Sequence, residues 1–263
     1  MGTSKLLKYE INPIAIYVLW LREMKRFIRA KSRVVGTITM PLLFLVFLGL
    51  GFSRMPVLGE KYNISYVNFL VPGILGMSLL STSMFTGISV LWDKEFGFLK
   101  EVMVTPVSRL SIVLGRTLGG VTIALIQALV ILMISTALGF RPVSALAVFP
   151  SLLFMFLIST TFIGVGLILA SKMGDIQGFG LVVQFITFPT FFLSGALFPI
   201  ENLPIWLRYV CYANPLTYGV DGLRAALVNV YSLDPLLDLL ILFIFSIFMA
   251  FLGAYFFEKS EAV

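Results

Sequence analysis

SGALFPIENLPIWLRYVCYANPLTYGVDGLR, residues 194–224, interrupts a long apolar run without ending its apolar character. Pro199, Pro204 and Pro215, with Gly195, stop any continuous helix, because proline lacks the backbone donor and clashes with the preceding turn. Glu201, Arg208, Asp221 and Arg224 add charge, yet Trp206, Leu207, Tyr209, Val210 and Tyr212 keep the stretch apolar. A segment both broken and apolar suits short helices at a membrane surface, or dipping partway in. Further apolar runs lie on both sides, so the segment is expected to cap what those runs build.

Composition points to the same solvent. Of 263 residues, 59% are hydrophobic and 12% charged, with a mean hydropathy of +1.02. A soluble domain carries about 25% charged residues. Half that density cannot cover a surface facing water, so most of the surface faces lipid. The net charge of +6 fits a polytopic membrane protein with basic residues on its cytoplasmic side better than a nucleic-acid binder. With no His there is no imidazole base and no His ligand for zinc. The lone Cys211 reads as a small buried or interfacial apolar residue. The residues before the first apolar run are too charged and too many for a signal peptide, so the anchor is expected to be retained.

A hydrocarbon core about 30 Å thick takes roughly 20 apolar residues in a helix. Six segments meet that length: 34–52, 66–92, 111–138, 145–171, 178–198 and 236–257. The expected fold is an all-α integral membrane protein. It has six transmembrane helices, an N-terminal amphipathic interfacial helix, and short outer helices before the last span. Residues 1–33 make the cytoplasmic N-terminus and 34–263 the transmembrane domain. Within the latter lie a cytoplasmic loop, 93–110, and an outer re-entrant or interfacial segment, 199–235. Pro41, Pro72 and Pro189 fall inside spans, where kinks are expected.

Basic residues set the orientation. Lys5, Lys8, Arg22, Lys25, Arg26, Arg29, Lys31 and Arg33 precede the first span. Lys94, Lys100, Arg109 and Arg116 fall in the second connection, and Lys172 and Lys259 lie on the same side. Arg54, Lys61, Arg141, Arg208 and Arg224 are the minority opposite. Both termini are therefore expected in the cytoplasm of a multi-pass protein of the cell (plasma or inner) membrane, with 199–235 facing outward.

Two cytoplasmic elements carry pattern. In residues 13–33, Ile16, Leu19, Trp20, Met24 and Phe27 make one helical face, and Arg22, Lys25, Arg26, Arg29 and Arg33 much of the rest. Such a helix lies along an anionic inner leaflet, as a plain anchor or with a mechanical role as well. The second element is DKEFGFLKEVMVTPVSR, residues 93–109. Asp93, Lys94, Glu95, Lys100 and Glu101 alternate with Phe96, Phe98, Leu99, Val102 and Met103, and Pro106 stops the helix, with Thr105 pushed toward extended geometry. A short amphipathic helix of this kind docks into a groove on a partner protein; the alternative is a solvated turn.

These segments resemble a known family. DKEFGFLKEVMVTPVSR, together with SGALFPIENLP followed at the usual distance by NPLTYGVDGLR, is similar to the membrane subunit of ABC-2-type exporters, permeases of ATP-binding-cassette systems. The resemblance implies a homodimer driven by two copies of a cytoplasmic ABC ATPase. The coupling helix would be formed by Glu95, Phe96, Gly97, Phe98, Leu99, Lys100, Glu101, Thr105 and Pro106. The 13–33 helix would be the connecting helix beside it. The outer gate would take in Pro199, Pro204, Asn214, Pro215, Asp221 and Arg224. Larger relatives carry a sizeable extracellular domain that this chain lacks, which leaves the cargo open.

No chemistry of its own is visible. There is no GxxxxGK[ST] phosphate loop, no Cys/His metal cluster and no nucleophile with a His to activate it. The chain is expected to bind no cofactor or metal and to be no enzyme; ATP and Mg belong to the partner ATPase. A path must then use polar positions inside spans. Ser78, Thr82, Thr86 and Ser89 fall on one face of span two, and Gln184, Thr187 and Ser194 near one face of span five. They either line a cavity between protomers or bond helices together. Gln127 reads as interhelical glue. Asp221 and Arg224, three apart, are expected to pair, structurally or as part of a gate. Spans two, four and five show no deep acid or base, which favours an amphipathic drug, lipid or glycan-lipid over an ion-coupled cargo. A secondary carrier or channel, or a non-transporting assembly factor, is the competing reading.

Overall fold

Asn12 starts the first helix. Its side chain accepts from the backbone N–H groups of Ile14 and Ala15, and Pro13 takes the first helical position, where no donor is needed. In this computed structural model, residues 11–52, 64–97 and 107–260 are described. They form α1 (Pro13–Arg29), α2 (Lys31–Gly51), α3 (Tyr66–Phe85), α4 (Gly87–Glu95), α5 (Arg109–Ala137), α6 (Val148–Lys172), α7 (Ile176–Phe192), α8 (Ile205–Ala213), α9 (Pro215–Val228) and α10 (Pro235–Ser260). Single 3-10 turns precede α6 and α8. The chain is an all-helical, multi-pass integral membrane protein. Five helical stretches are long and apolar enough to cross a bilayer, and α7 is a shorter apolar helix.

The second span is the hub. Of its most apolar window 78% is buried, against 17% for α2 and 22% for α10, so α3 and α4 are enclosed while α2 and α10 turn apolar flanks outward. Phe69, Leu70, Val71, Ile74, Leu75, Leu79 and Leu80 are wholly enclosed. α3 packs on α2, α5, α6, α7 and α9, and α6 packs along α10. Gly164 and Gly253 let those last two approach until a Cβ on Gly253 would meet the Gly164 backbone at 3.0 Å.

Span two breaks at Thr86 rather than at proline. α3 continues through Pro72, as α2 does through Pro41 and α7 through Pro189. At the break the Thr86 hydroxyl donates to the Thr82 carbonyl at 3.2 Å, and its N–H turns to Ser83. The fifth span also differs from expectation. Its helix has 17 residues and ends at Phe192, not at 198. At about 1.5 Å per residue it falls short of the hydrocarbon thickness. Residues 193–199 turn back into the protein, with Ser194, Ala196 and Leu197 buried and Gly195 at φ +68°.

Candidate functional site

Where α4 ends, α1 and α5 meet it. Asp93, in the last turns of α4, has a side chain 2% exposed. It accepts from Arg22 at 2.7 and 2.9 Å, from Arg26 at 3.2 Å and from Arg116 at 2.7 Å. Arg22 and Arg26 come from α1, Arg116 from α5. Arg116 is 1% exposed, and its remaining faces have no hydrogen-bond partner among the described residues. Its guanidinium lies 5.7 Å from the Phe257 ring of α10. Hydrogen bonding to Asp93 holds the Arg22 guanidinium above its ordinary pKa.

The same junction is packed as well as charged. α1 lies across α5 where Gly115 and Gly119 remove side chains: a Cβ on Gly115 would sit 2.8 Å from the Leu19 Cβ, and one on Gly119 2.8 Å from the Glu23 Cβ. Trp20 donates its indole N–H to Thr122 at 3.0 Å, and the Asn12 N–H bonds Ser111 at 2.9 Å. Arg26 also lies over the Trp92 ring. Helix α1, the foot of span two and the foot of span three thus form one block.

Directly beyond the block the chain is exposed. Glu95 faces solvent, Phe96 is 78% exposed, and Gly97 takes φ +73°. Phe98, Leu99, Lys100, Glu101, Thr105 and Pro106 lie outside the described residues.

The polar stripe of span two points inward. Ser78, Thr82, Thr86 and Ser89 are all buried within the protomer. Thr82 donates to Gln127 of α5, whose amide donates in turn to Thr37 of α2. Thr82, Thr86 and Ser89 line a small internal cavity with Gln127, Glu23 and Arg26. In α7, Gln184 is exposed beside Phe185, whereas Thr187 is buried against Met84 and Ser194 bonds the Phe191 carbonyl. These three do not share one surface.

At the opposite end of the bundle, Arg224 of α9 pairs with Asp221 at 3.5 Å, donates to the Gly195 carbonyl at 2.9 Å, and stacks 3.8 Å from the Phe69 ring. Asp221 accepts the N–H groups of Ser232 and Leu233 at 2.8 and 2.9 Å, tying α9 to the turn before α10. Asn214 caps α9 and donates to the carbonyls of Thr190 and Leu193. Pro204 precedes α8, Pro215 opens α9, and Pro199 precedes the 3-10 turn. Ile205, Trp206 and Tyr209 of α8 stand out from the fold, as side chains at a membrane interface do.

Three features escape sequence reasoning. Asp93 and Arg116 look like loop charges until Arg22 and Arg26 arrive from 67 to 71 residues away. Asp238 is fully buried in the first turn of α10, close to Asp221 of α9. Gly115 and Gly119, a common spacing, are the seat of α1.

Comparison with known proteins fits this architecture. The family described as ABC-2 type transporter matches residues 14–228. "Putative transport permease ycf38" of Porphyra purpurea is 30% identical over 84% of this chain and 76% of its own length. "Inner membrane transport permease YadH" of Escherichia coli K12 is 27% identical over 90% of this chain and 92% of its own. "Probable multidrug ABC transporter permease YbhR" of the same organism is 28% identical over 65% of this chain and 47% of its own.

Proposed function

This chain belongs to the ABC-2 type transporter family as a membrane permease subunit, and we propose that it exports an amphipathic drug, lipid or glycan-lipid. On this reading two copies of the chain form the path, and two copies of a separate cytoplasmic ABC ATPase bind ATP and Mg and drive it. Both termini face the cytoplasm, and residues 199–235 face outward.

The observation that carries the reading is the Asp93 block. A push on Glu95 and the residues after it reaches Asp93 two positions earlier, and Asp93 is bound at once to α1 and α5. The coupling surface then runs through Glu95, Phe96, Gly97, Phe98, Leu99, Lys100, Glu101, Thr105 and Pro106. Packed elements of this kind move as rigid bodies between discrete arrangements. At the far end, Pro199, Pro204, Asn214, Pro215, Asp221 and Arg224 would form the gate, since Arg224 and Asn214 fasten α9 to the turn that ends α7.

For the path, exposed Gln184 is the polar group offered to the second copy, with Thr187 and Ser194 behind it. Ser78, Thr82, Thr86 and Ser89 would join it only when the helices around span two separate. The Thr82 bond to Gln127 supports interhelical glue at that position, while Thr86 and Ser89 bond carbonyls of their own span.

The test is reconstitution. The purified chain should hydrolyse no ATP alone, and a co-purifying ATPase should show turnover stimulated by an amphiphile. Glu95→Lys or Glu101→Lys should uncouple turnover from transport without loss of folded protein. ATPase activity in the pure chain, or transport untouched by both substitutions, rejects the reading.

A further inference from the structure

We infer that the exposed face of α1 is a binding site for the headgroup of an anionic phospholipid in the adjoining leaflet. The proposed orientation enters only in calling that leaflet the inner one.

α1 has two unlike faces. Ile16, Leu19 and Glu23 press on α5 at Gly115 and Gly119. The opposite side carries Ile14, Tyr17 and Val18 near the N-terminus, all more than half exposed, and Lys25 and Arg29, both exposed, near the C-terminus. At 100° per residue these fall on one stripe. It is apolar at one end and cationic at the other, as a phospholipid is apolar along its chains and anionic at its phosphate.

An open hollow of about 630 Å³ lies along the cationic end, bordered among the described residues by α1 and its C-cap alone, with Arg22, Lys25, Arg26 and Arg29 around it and Val18 and Leu21 on its apolar side. The charge there is unbalanced. Arg22, Arg26 and Arg116 gather around two acids, Glu23 and Asp93, and Lys25 and Arg29 stand beside Arg22 and Arg26 without joining them. Among the described residues neither Lys25 nor Arg29 has an acid within ion-pair distance. A cluster of cations at a membrane interface in this state attracts a lipid phosphate, for which arginine supplies paired donors and lysine a point charge.

The occupant is thus a lipid with a net negative phosphodiester head, lying with its chains toward Val18, Tyr17 and Ile14. An acidic protein surface would satisfy the charge but leave that apolar half of the stripe in water.

The full chain in neutral detergent, titrated with phosphatidylglycerol or phosphatidylcholine and read by native mass spectrometry, tests this. Phosphatidylglycerol should bind more tightly, and Lys25→Gln with Arg29→Gln should weaken it on the order of tenfold or more, at a few-fold per cation. Both side chains are exposed, so the double variant should stay folded. Equal binding of the two lipids, or no loss in the variant, overturns the proposal. So does displacement by millimolar inorganic phosphate, which would make the site one for a free anion. The lipid titration contains no ATPase, so its outcome is independent of whether the export reading holds.

Discussion

Replacing Asp93 with Asn removes one charge and leaves the shape. What remains is Arg22, Arg26 and Arg116 converging on a neutral amide. Arg22 and Arg26 have side chains 27% and 24% exposed and can swing toward water, so their share is small. Arg116, at 1%, cannot. Removing one partner of a buried pair costs about 3–5 kcal/mol, because the other charge stays buried and uncompensated. Arg116→Met is gentler: Asp93 keeps Arg22 and Arg26, and the loss is that of a charged hydrogen bond, about 1.5–3 kcal/mol. The double variant removes both charges and should cost clearly less than the two singles together. Thermal inactivation in mild detergent, followed by the loss of monodisperse protein, gives the three differences. If Asp93→Asn costs less than about 1 kcal/mol, or if the cycle is additive, Asp93 does not hold the block together and does not pass a push on Glu95 to α1 and α5.

The other contacts make separate predictions. Gly115→Leu should cost about 1–3 kcal/mol by overpacking against Leu19 and Ile16, despite the better helix propensity of leucine, and should loosen α1 to limited proteolysis. Gln127→Leu breaks the bridge from Thr82 to Thr37; at about 0.6 kcal/mol per interhelical bond it should cost roughly 1 kcal/mol, visible as a modest fall in thermal stability. Arg224→Lys keeps charge but cannot both stack on Phe69 and reach the Gly195 carbonyl, so it should destabilise nearly as much as Arg224→Gln in the same assay. Cys211 is fully enclosed, and burial pushes its thiol pKa up, so at pH 8 less of it is thiolate than for an ordinary cysteine. Maleimide should label it slowly in the folded chain and rapidly after denaturation; fast labelling of the native chain contradicts the packing of α8.

Hydropathy reports transfer out of water and is blind to what replaces the water. That is why the helical, multi-pass character is legible in the sequence, and why hydropathy alone overextends the fifth span. Residues 193–198 are apolar because they are packed inside the protein, and nothing in their composition separates that from burial in lipid. The same blindness hid the direction of the span-two stripe. Ser78, Thr82, Thr86 and Ser89 have helical spacing whether they face a cavity or a neighbouring helix, and the partner that Thr82 finds, Gln127, lies in another span. Local pairings were easier: Asp221 and Arg224 meet as an i, i+3 pair on one helix.

Asp93 was harder to place, yet a physical signal for it existed. An acid at the end of an apolar span is too costly to leave alone near lipid, so it needs a cation brought to it by the fold. The basic amphipathic helix before the first span is the richest source of cations, and the small residues at Gly115 and Gly119 provide a surface on which it can lie close. Joined, these three facts place α1 across the foot of span three with its arginines at Asp93. Taken singly, each has an ordinary explanation: a loop charge, an inner-leaflet anchor and a common glycine spacing. A charge balance for the ends of the spans is therefore more informative than a residue-by-residue list. Here it also leaves cations over at Lys25 and Arg29, which the acids of the block cannot neutralise.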